Sequence, residues 1–213
     1  MTFARLLEIV GDEPVFETGL LLAGDLDPRD VRRQLSRWLA GGRLYQLRRG
    51  LYALAPPYQK TRPAPFLIAN RLVRPSYVGL QSALSYYDLI PEYVPVTTSV
   101  TTAKPGRWDT ALGSFGCRHV KVGLFWGYTL ADLGGDQSAF LATPEKALLD
   151  LLYLEPGSGS HAYLRELRLQ NLDRLDLEAL TGQAARTGSR KLARAVTVVR
   201  ELAQAEAEEY TPL

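Results

Sequence analysis

Six arginines near the N-terminus share one chemistry, and a serine lies among them. Arg29, Arg32, Arg33, Ser36 and Arg37 fall within nine residues, and Arg48 and Arg49 follow shortly after. A guanidinium is always charged, and its planar fork of donors matches both a phosphate and the O6/N7 edge of guanine. Residues 1–54 contain no lysine, so the positive charge there is entirely of this two-pronged kind. The chemistry on offer is recognition of a nucleic acid rather than the making or breaking of bonds.

Patterns for catalysis and metal binding are missing. Cys117 is the only cysteine, which excludes an intrachain disulfide and any cysteine cluster. The two histidines, His119 and His161, are 42 positions apart and belong to no zinc motif. The chain has no G-x-G-x-x-G, no Walker lysine loop, no G-x-S-x-G and no paired-carboxylate signature. Lys104-Pro105-Gly106-Arg107 follows a strand-like run, but no helix start follows it, so it reads as a basic hairpin turn rather than a phosphate loop. His119, beside Arg118 and Lys121, reads as a strand histidine facing solvent rather than an anion ligand. No enzyme, cofactor or metal is expected.

The arginines need an element that faces them outward together. Asp27-Pro28 is a helix start: Asp27 as the cap, Pro28 at the first helical position and Asp30 in the first turn. Over residues 28–40, Val31, Leu35, Trp38 and Leu39 form one apolar stripe. At about 100° per residue, Arg29, Arg33, Ser36 and Ala40 lie opposite, flanked by Arg32 and Arg37. A helix with an apolar back and an arginine front is what a major-groove recognition helix requires. Before it, residues 2–10 read as an amphipathic helix, Pro14-Val15-Phe16 as extended, and Gly19–Ala23 as a short helix capped by Thr18 and ended at Gly24. After it, Gly41-Gly42 breaks the helix, and Leu44 to Leu54 suggests two strands around Arg48-Arg49-Gly50. The order predicts a winged helix-turn-helix over residues 1–54, with Arg48 and Arg49 reaching DNA from the wing.

Residues 55–65 hold four prolines and read as an extended linker. Residues 66–213 then predict a larger α+β domain with a small sheet and C-terminal helices. Expected helices lie at 66–73, 77–89, from Thr143-Pro144-Glu145 onward, near 161–169 and 176–185, and at 190–208. Val96–Thr102 is β-branched and reads as a strand, and Phe115–Trp126 as one or two more. Glu155–Ser160 is a loop.

The chain has 213 residues, and its net charge of +2 conceals an uneven distribution. Residues 1–28 sum to −5, residues 29–54 to +6, residues 55–126 to +5 and residues 127–213 to −4. The second basic window makes Arg71, Arg74, Lys104, Arg107, Arg118 and Lys121 secondary candidates for phosphate contact. An apolar content of 46% excludes disorder of the whole chain. No signal peptide or membrane span is expected, and the protein reads as cytoplasmic, with no membrane partner.

Several segments taken together resemble the AbiEi family of antitoxins from type IV toxin–antitoxin and phage-abortive systems. They are Leu47-Arg48-Arg49-Gly50-Leu51-Tyr52, Arg74 to Leu84, Thr97 to Thr102, Phe125-Trp126-Gly127-Tyr128 and Thr143 to Asp150. The resemblance runs to about residue 154 and fades in the C-terminal helices. It implies an autorepressor that binds inverted repeats of double-stranded DNA in its own promoter, beside a gene for a nucleotidyltransferase-like toxin. It also implies that the larger domain opposes that toxin, without a stable complex. Two rival readings are open. One is an antitoxin that binds its toxin directly through the C-terminal domain, and the other is a catalytic second domain that modifies the toxin or a nucleotide.

Overall fold

A computed structural model describes residues 1–23 and 26–209. It is a mixed α+β protein with two sheets. The N-terminal part runs α1 (Phe3–Val10), β1 (Phe16–Glu17), α2 (Thr18–Leu21), α3 (Pro28–Ala40), β2 (Leu44–Arg48) and β3 (Leu51–Leu54). Its three strands pair antiparallel in the order β1-β3-β2. Leu6, Val10, Leu21, Val31, Leu35 and Trp38 from the helices pack on Phe16, Leu44, Tyr52 and Leu54 from the strands.

The second part begins with α4 (Pro65–Leu72), β4 (Ser76–Val78), α5 (Leu80–Tyr86), β5 (Val96–Thr101), β6 (Gly106–Thr110) and β7 (Gly113–His119). It continues with β8 (Tyr128–Gly134), β9 (Gln137–Ala142), α6 (Pro144–Leu154), α7 (His161–Glu166), α8 (Leu177–Thr187) and α9 (Arg190–Glu209). The sheet order is β6-β7-β5-β4-β9-β8, with β5·β7 and β4·β9 parallel and the other pairs antiparallel. Helix α4 and helices α5 and α6 pack against this sheet, and α8 and α9 pack on α6.

The two parts meet at β3, which contributes to two adjoining cores. In β3, Tyr52 and Leu54 belong to the N-terminal core, whereas Leu51 and Ala53 belong to the larger one together with Leu47 and Val15. Alternate side chains of a strand point to opposite faces, so β3 is buried on both sides. Residues 55–65 are accordingly no free spacer. Tyr58 packs edge-on against Phe3 with ring centroids 4.8 Å apart, and Lys60 pairs with Asp12 at 2.9 Å. Gln137 of β9 donates through Nε2 to the Arg62 carbonyl at 3.0 Å and accepts from the Ala64 amide at 2.8 Å.

Several local expectations change. Thr18 does not cap α2; its amide donates to the Gly50 carbonyl at 2.9 Å, which continues the pairing of β1 with the wing strand. Gly24, the expected stop of α2, lies outside the described residues. Tyr77 and Val78, expected in a helix, form a central strand that pairs with β5, and helix α5 starts only at Leu80. Residues 104–107 are not a hairpin turn. Strand β7 runs parallel to β5, so the chain first crosses to the edge strand β6 and turns between Thr110 and Gly113. Beyond His119 the expected strand is lost, and Val122–Leu124 forms a 3-10 turn. The β8–β9 hairpin was not expected, because Gly134, Gly135 and Asp136 interrupt a weakly apolar run.

Helix α6 is buried on every side from Glu145 to Leu152. Lys146 and Asp150, one turn apart on it, form a fully buried ion pair. The Tyr77 hydroxyl donates to the other Asp150 oxygen at 2.6 Å. Burial pushes the Tyr77 hydroxyl far above its ordinary range, with the Asp150 charge adding to the effect. Burial also lowers the Lys146 ammonium and raises the Asp150 carboxyl, and each opposes the other's shift through their attraction. Trp126 lies between two cations, with Lys146 Nζ and Arg186 Cζ each 4.6 Å from its ring centre. Gly127, at φ 74°, permits this: a Cβ there would sit 2.9 Å from Lys146 Cγ.

Removing one partner of a buried pair strands the other charge in a low-dielectric interior. Asp150→Ala is expected to lower the unfolding free energy by about 3–5 kcal/mol in urea titrations. The double variant Lys146→Met/Asp150→Leu, which leaves no orphan charge, is expected to recover most of that loss.

Candidate nucleic-acid interface

Helix α3 forms as its sequence dictates. Asp27 Oδ1 accepts from the Arg29 amide at 2.8 Å, Pro28 opens the helix and Asp30 lies in its first turn. Val31, Leu35 and Trp38 are buried, and Leu39 is half-buried. The opposite face, with Arg29, Arg32, Arg33, Ser36, Arg37 and Ala40, is exposed. Arg29, Arg32 and Arg37 have no side-chain hydrogen bond or ion pair among the described residues. Arg33 Nη2 pairs with Asp30 Oδ1 at 2.5 Å, with both side chains more than half exposed. Such surface pairs contribute roughly 0–1 kcal/mol, so Arg33 can exchange Asp30 for a phosphate or base at little cost. Ser36 Oγ donates to the Arg32 carbonyl at 3.0 Å and lies at the centre of this face.

The two wing arginines differ. Arg49 is exposed at the turn, and its guanidinium has no partner among the described residues. Arg48 is folded back. Its Nη1 donates to the Arg49 carbonyl at 3.1 Å, and its Nη2 donates to the Arg71 carbonyl at 3.4 Å. Its Nε is buried without a hydrogen-bond partner. Arg48 therefore joins the β2–β3 turn to α4, and its guanidinium is engaged within the protein rather than free like that of Arg49. The two-sided burial of β3 holds this turn against the larger part.

The secondary candidates do not act alike. Arg74 Nη2 pairs with Glu17 at 3.4 Å, across the two parts. Arg107 pairs with Asp109 at 3.6 Å on the exposed edge strand. Arg118 is held by Glu155 at 2.8 Å and by the Leu154 carbonyl at 3.2 Å, which turns it toward α6 rather than toward a ligand. Lys104 and Lys121 are exposed, Arg71 is half-buried, and none of the three side chains has a polar partner among the described residues. His119 Nδ1 lies 3.0 Å from the Ala103 carbonyl, and its ring is exposed. Arg43 was not singled out from the sequence. It stacks over Phe3, with Cζ 5.0 Å from the ring centre, and so has a packing role.

Among the described residues, no group of three or more His, Cys, Asp and Glu side chains is placed to hold a metal ion, and no helix is long and apolar enough to cross a membrane. No family model matches the chain, and no curated protein sequence matches it. The likeness to AbiEi antitoxins thus rests on the residues quoted for it.

Arg48 and Arg49 should separate in a stability assay. Arg48→Ala removes two hydrogen bonds to backbone and is expected to lower stability by about 1–3 kcal/mol in urea titrations. Arg49→Ala is expected to stay within about 0.5 kcal/mol of the parent. Equal effects would show that Arg48 does not join the two parts.

Proposed function

We propose that this protein is a sequence-specific DNA-binding autorepressor and antitoxin that opposes a nucleotidyltransferase-like toxin. The observation that carries the DNA reading is the exposed arginine face of α3, opposite the buried Val31, Leu35 and Trp38. The element order and the β1-β3-β2 pairing support a winged helix-turn-helix, with α3 as its recognition helix. In this reading α3 enters the major groove, and Arg29 and Arg33 approach base edges. Arg32 and Arg37 flank that face and meet the phosphates, as does Arg49 from the wing. Among the secondary candidates, Lys104, Lys121 and Arg71 are the side chains without a competing protein partner. The antitoxin role follows from the AbiEi resemblance, and the larger α+β part would carry it. The proposed function is binding, with no catalytic step and no cofactor.

The net charge of +2 makes tight non-specific binding weak, so affinity depends on these few arginines in register. In a mobility-shift titration with the promoter of its own gene, Arg33→Ala is expected to cost about 1–3 kcal/mol and to relax preference at one base pair. Arg37→Ala should weaken binding about equally on all sequences and reduce the salt slope by about one unit. Unchanged affinity in both variants would sink the docking of α3 on DNA.

A further inference from the structure

We propose that the cleft between α4 and the β8–β9 hairpin binds a free nucleoside phosphate. The cleft exists because β4 is short. It meets β9 only at Val78↔Leu141, so the sheet opens ahead of that contact. There the Phe140 amide is taken not by a strand but by Asn70 Oδ1 of α4, at 2.6 Å. The opening measures about 660 Å³, within the range of small-ligand sites.

Its lining combines two chemistries. Asn70, Arg71 and Arg74 come from α4 and the turn after it, and Phe125, Tyr128 and Phe140 come from the hairpin and its approach. No carboxylate lines the cleft. The Arg71 guanidinium has no polar partner among the described residues. Arg74 has a single long ion pair to Glu17, at 3.4 Å with both side chains 40% or more exposed. Two guanidinium groups so placed can close on one phosphate in the two-pronged manner that arginine favours.

The aromatic side offers a surface for a base. Tyr128 packs against Phe125 and Phe140, with centroids 5.2 Å and 5.7 Å apart, and this fixes the rings. Phe140 meets Tyr128 only edge-on and is 46% exposed, so much of the ring remains open to solvent. A planar base is the partner such a ring takes.

Asn70 supplies the third requirement. Its Oδ1 is committed to the Phe140 amide, so the amide orientation is set and Nδ2 is the free end. That Nδ2 is buried with no hydrogen-bond partner. A buried donor left unpaired destabilises the fold, and a small shift of the Asn70 side chain on ligand entry would bring it to a carbonyl or ring nitrogen of a base. An acidic peptide brings no planar ring to the aromatic side, and a fatty acid would leave the amide unpaired.

The test is isothermal titration calorimetry of the full chain with ATP, GTP, CTP and UTP in turn, and with pyrophosphate and a single-stranded DNA decamer for comparison. It reads nucleotide binding alone, so failure of the DNA proposal would leave its outcome untouched. At least one nucleotide should bind with a Kd below about 1 mM, and Arg71→Ala/Arg74→Ala should weaken it at least about 10-fold. Asn70→Ala should weaken that nucleotide more than it weakens pyrophosphate. Lys104→Ala/Lys121→Ala should leave it unchanged. The proposal fails if none of the four binds, or if the arginine variant binds as the parent does. It also fails if pyrophosphate binds as tightly as the best nucleotide, or if the decamer does so and loses affinity in the Arg71→Ala/Arg74→Ala variant.

Discussion

Strand β3 is buried on both faces, and much of the architecture follows from that. Tyr52 and Leu54 close the core under α1, α2 and α3, while Leu51 and Ala53 face the core of the larger part. Four residues therefore bind two hydrophobic units into one. Separation of the two parts would expose both Leu51 and Ala53 to water. The burial forgone for a leucine alone is about 1.5–3 kcal/mol. The orientation of α3 relative to the larger sheet is fixed by the same contact, as are the packed course of residues 55–65 and the position of the wing turn.

This constraint explains why neighbouring arginines have different roles. Arg48 and Arg74 lie where the small sheet meets the larger part and take partners across that seam, the Arg71 carbonyl and Glu17 respectively. Arg49 sits one residue beyond Arg48 and remains exposed. Those on α3 lie on the side of the helix away from its buried stripe, and among the described residues only Arg33 has a side-chain partner, Asp30. The proposed DNA surface is accordingly α3 with Arg49, a narrower set than charge alone suggests. Deeper in the larger part, Lys146, Asp150 and Tyr77 form a buried polar cluster that ties α6 to the central strand β4. Such a cluster contributes little net stability but strongly disfavours any packing that parts its members.

Local signals were legible in the sequence where they act through the backbone nearby. Asp27-Pro28 and Thr143-Pro144 placed helix starts, and the stripes of α3 and α9 matched the observed burial at Val31, Leu35, Leu192, Val196 and Val199. Signals set by distant partners were not legible. Tyr77 has helical spacing to its neighbours, yet its pairing with Val100 makes it a strand. Arg48 reads as a free wing cation until the Arg71 carbonyl is brought beside it by the two-sided burial of β3. Lys146 and Asp150 are four residues apart in a foreseen helix, a spacing common on solvated faces, and only the packing of α5, α8, α9 and β9 around α6 shows that they are buried. The cleft beside Asn70 depends on the early divergence of β4 from β9, which no local pattern encodes.

The central claim is that the exposed face of α3 lies in the major groove, and directed DNA cleavage addresses it most directly. Ser36→Cys would place one accessible thiol at the centre of that face. Cys117 should stay unlabelled, because it is buried and burial pushes its thiol up to about 12. An iron chelate attached at position 36 is expected to cut promoter DNA in a narrow window on both strands inside each bound repeat, while Arg118→Cys carrying the same chelate cuts weakly and diffusely. Protein that binds the promoter normally yet gives no localised cutting from position 36, or cuts more sharply from position 118, would contradict the account.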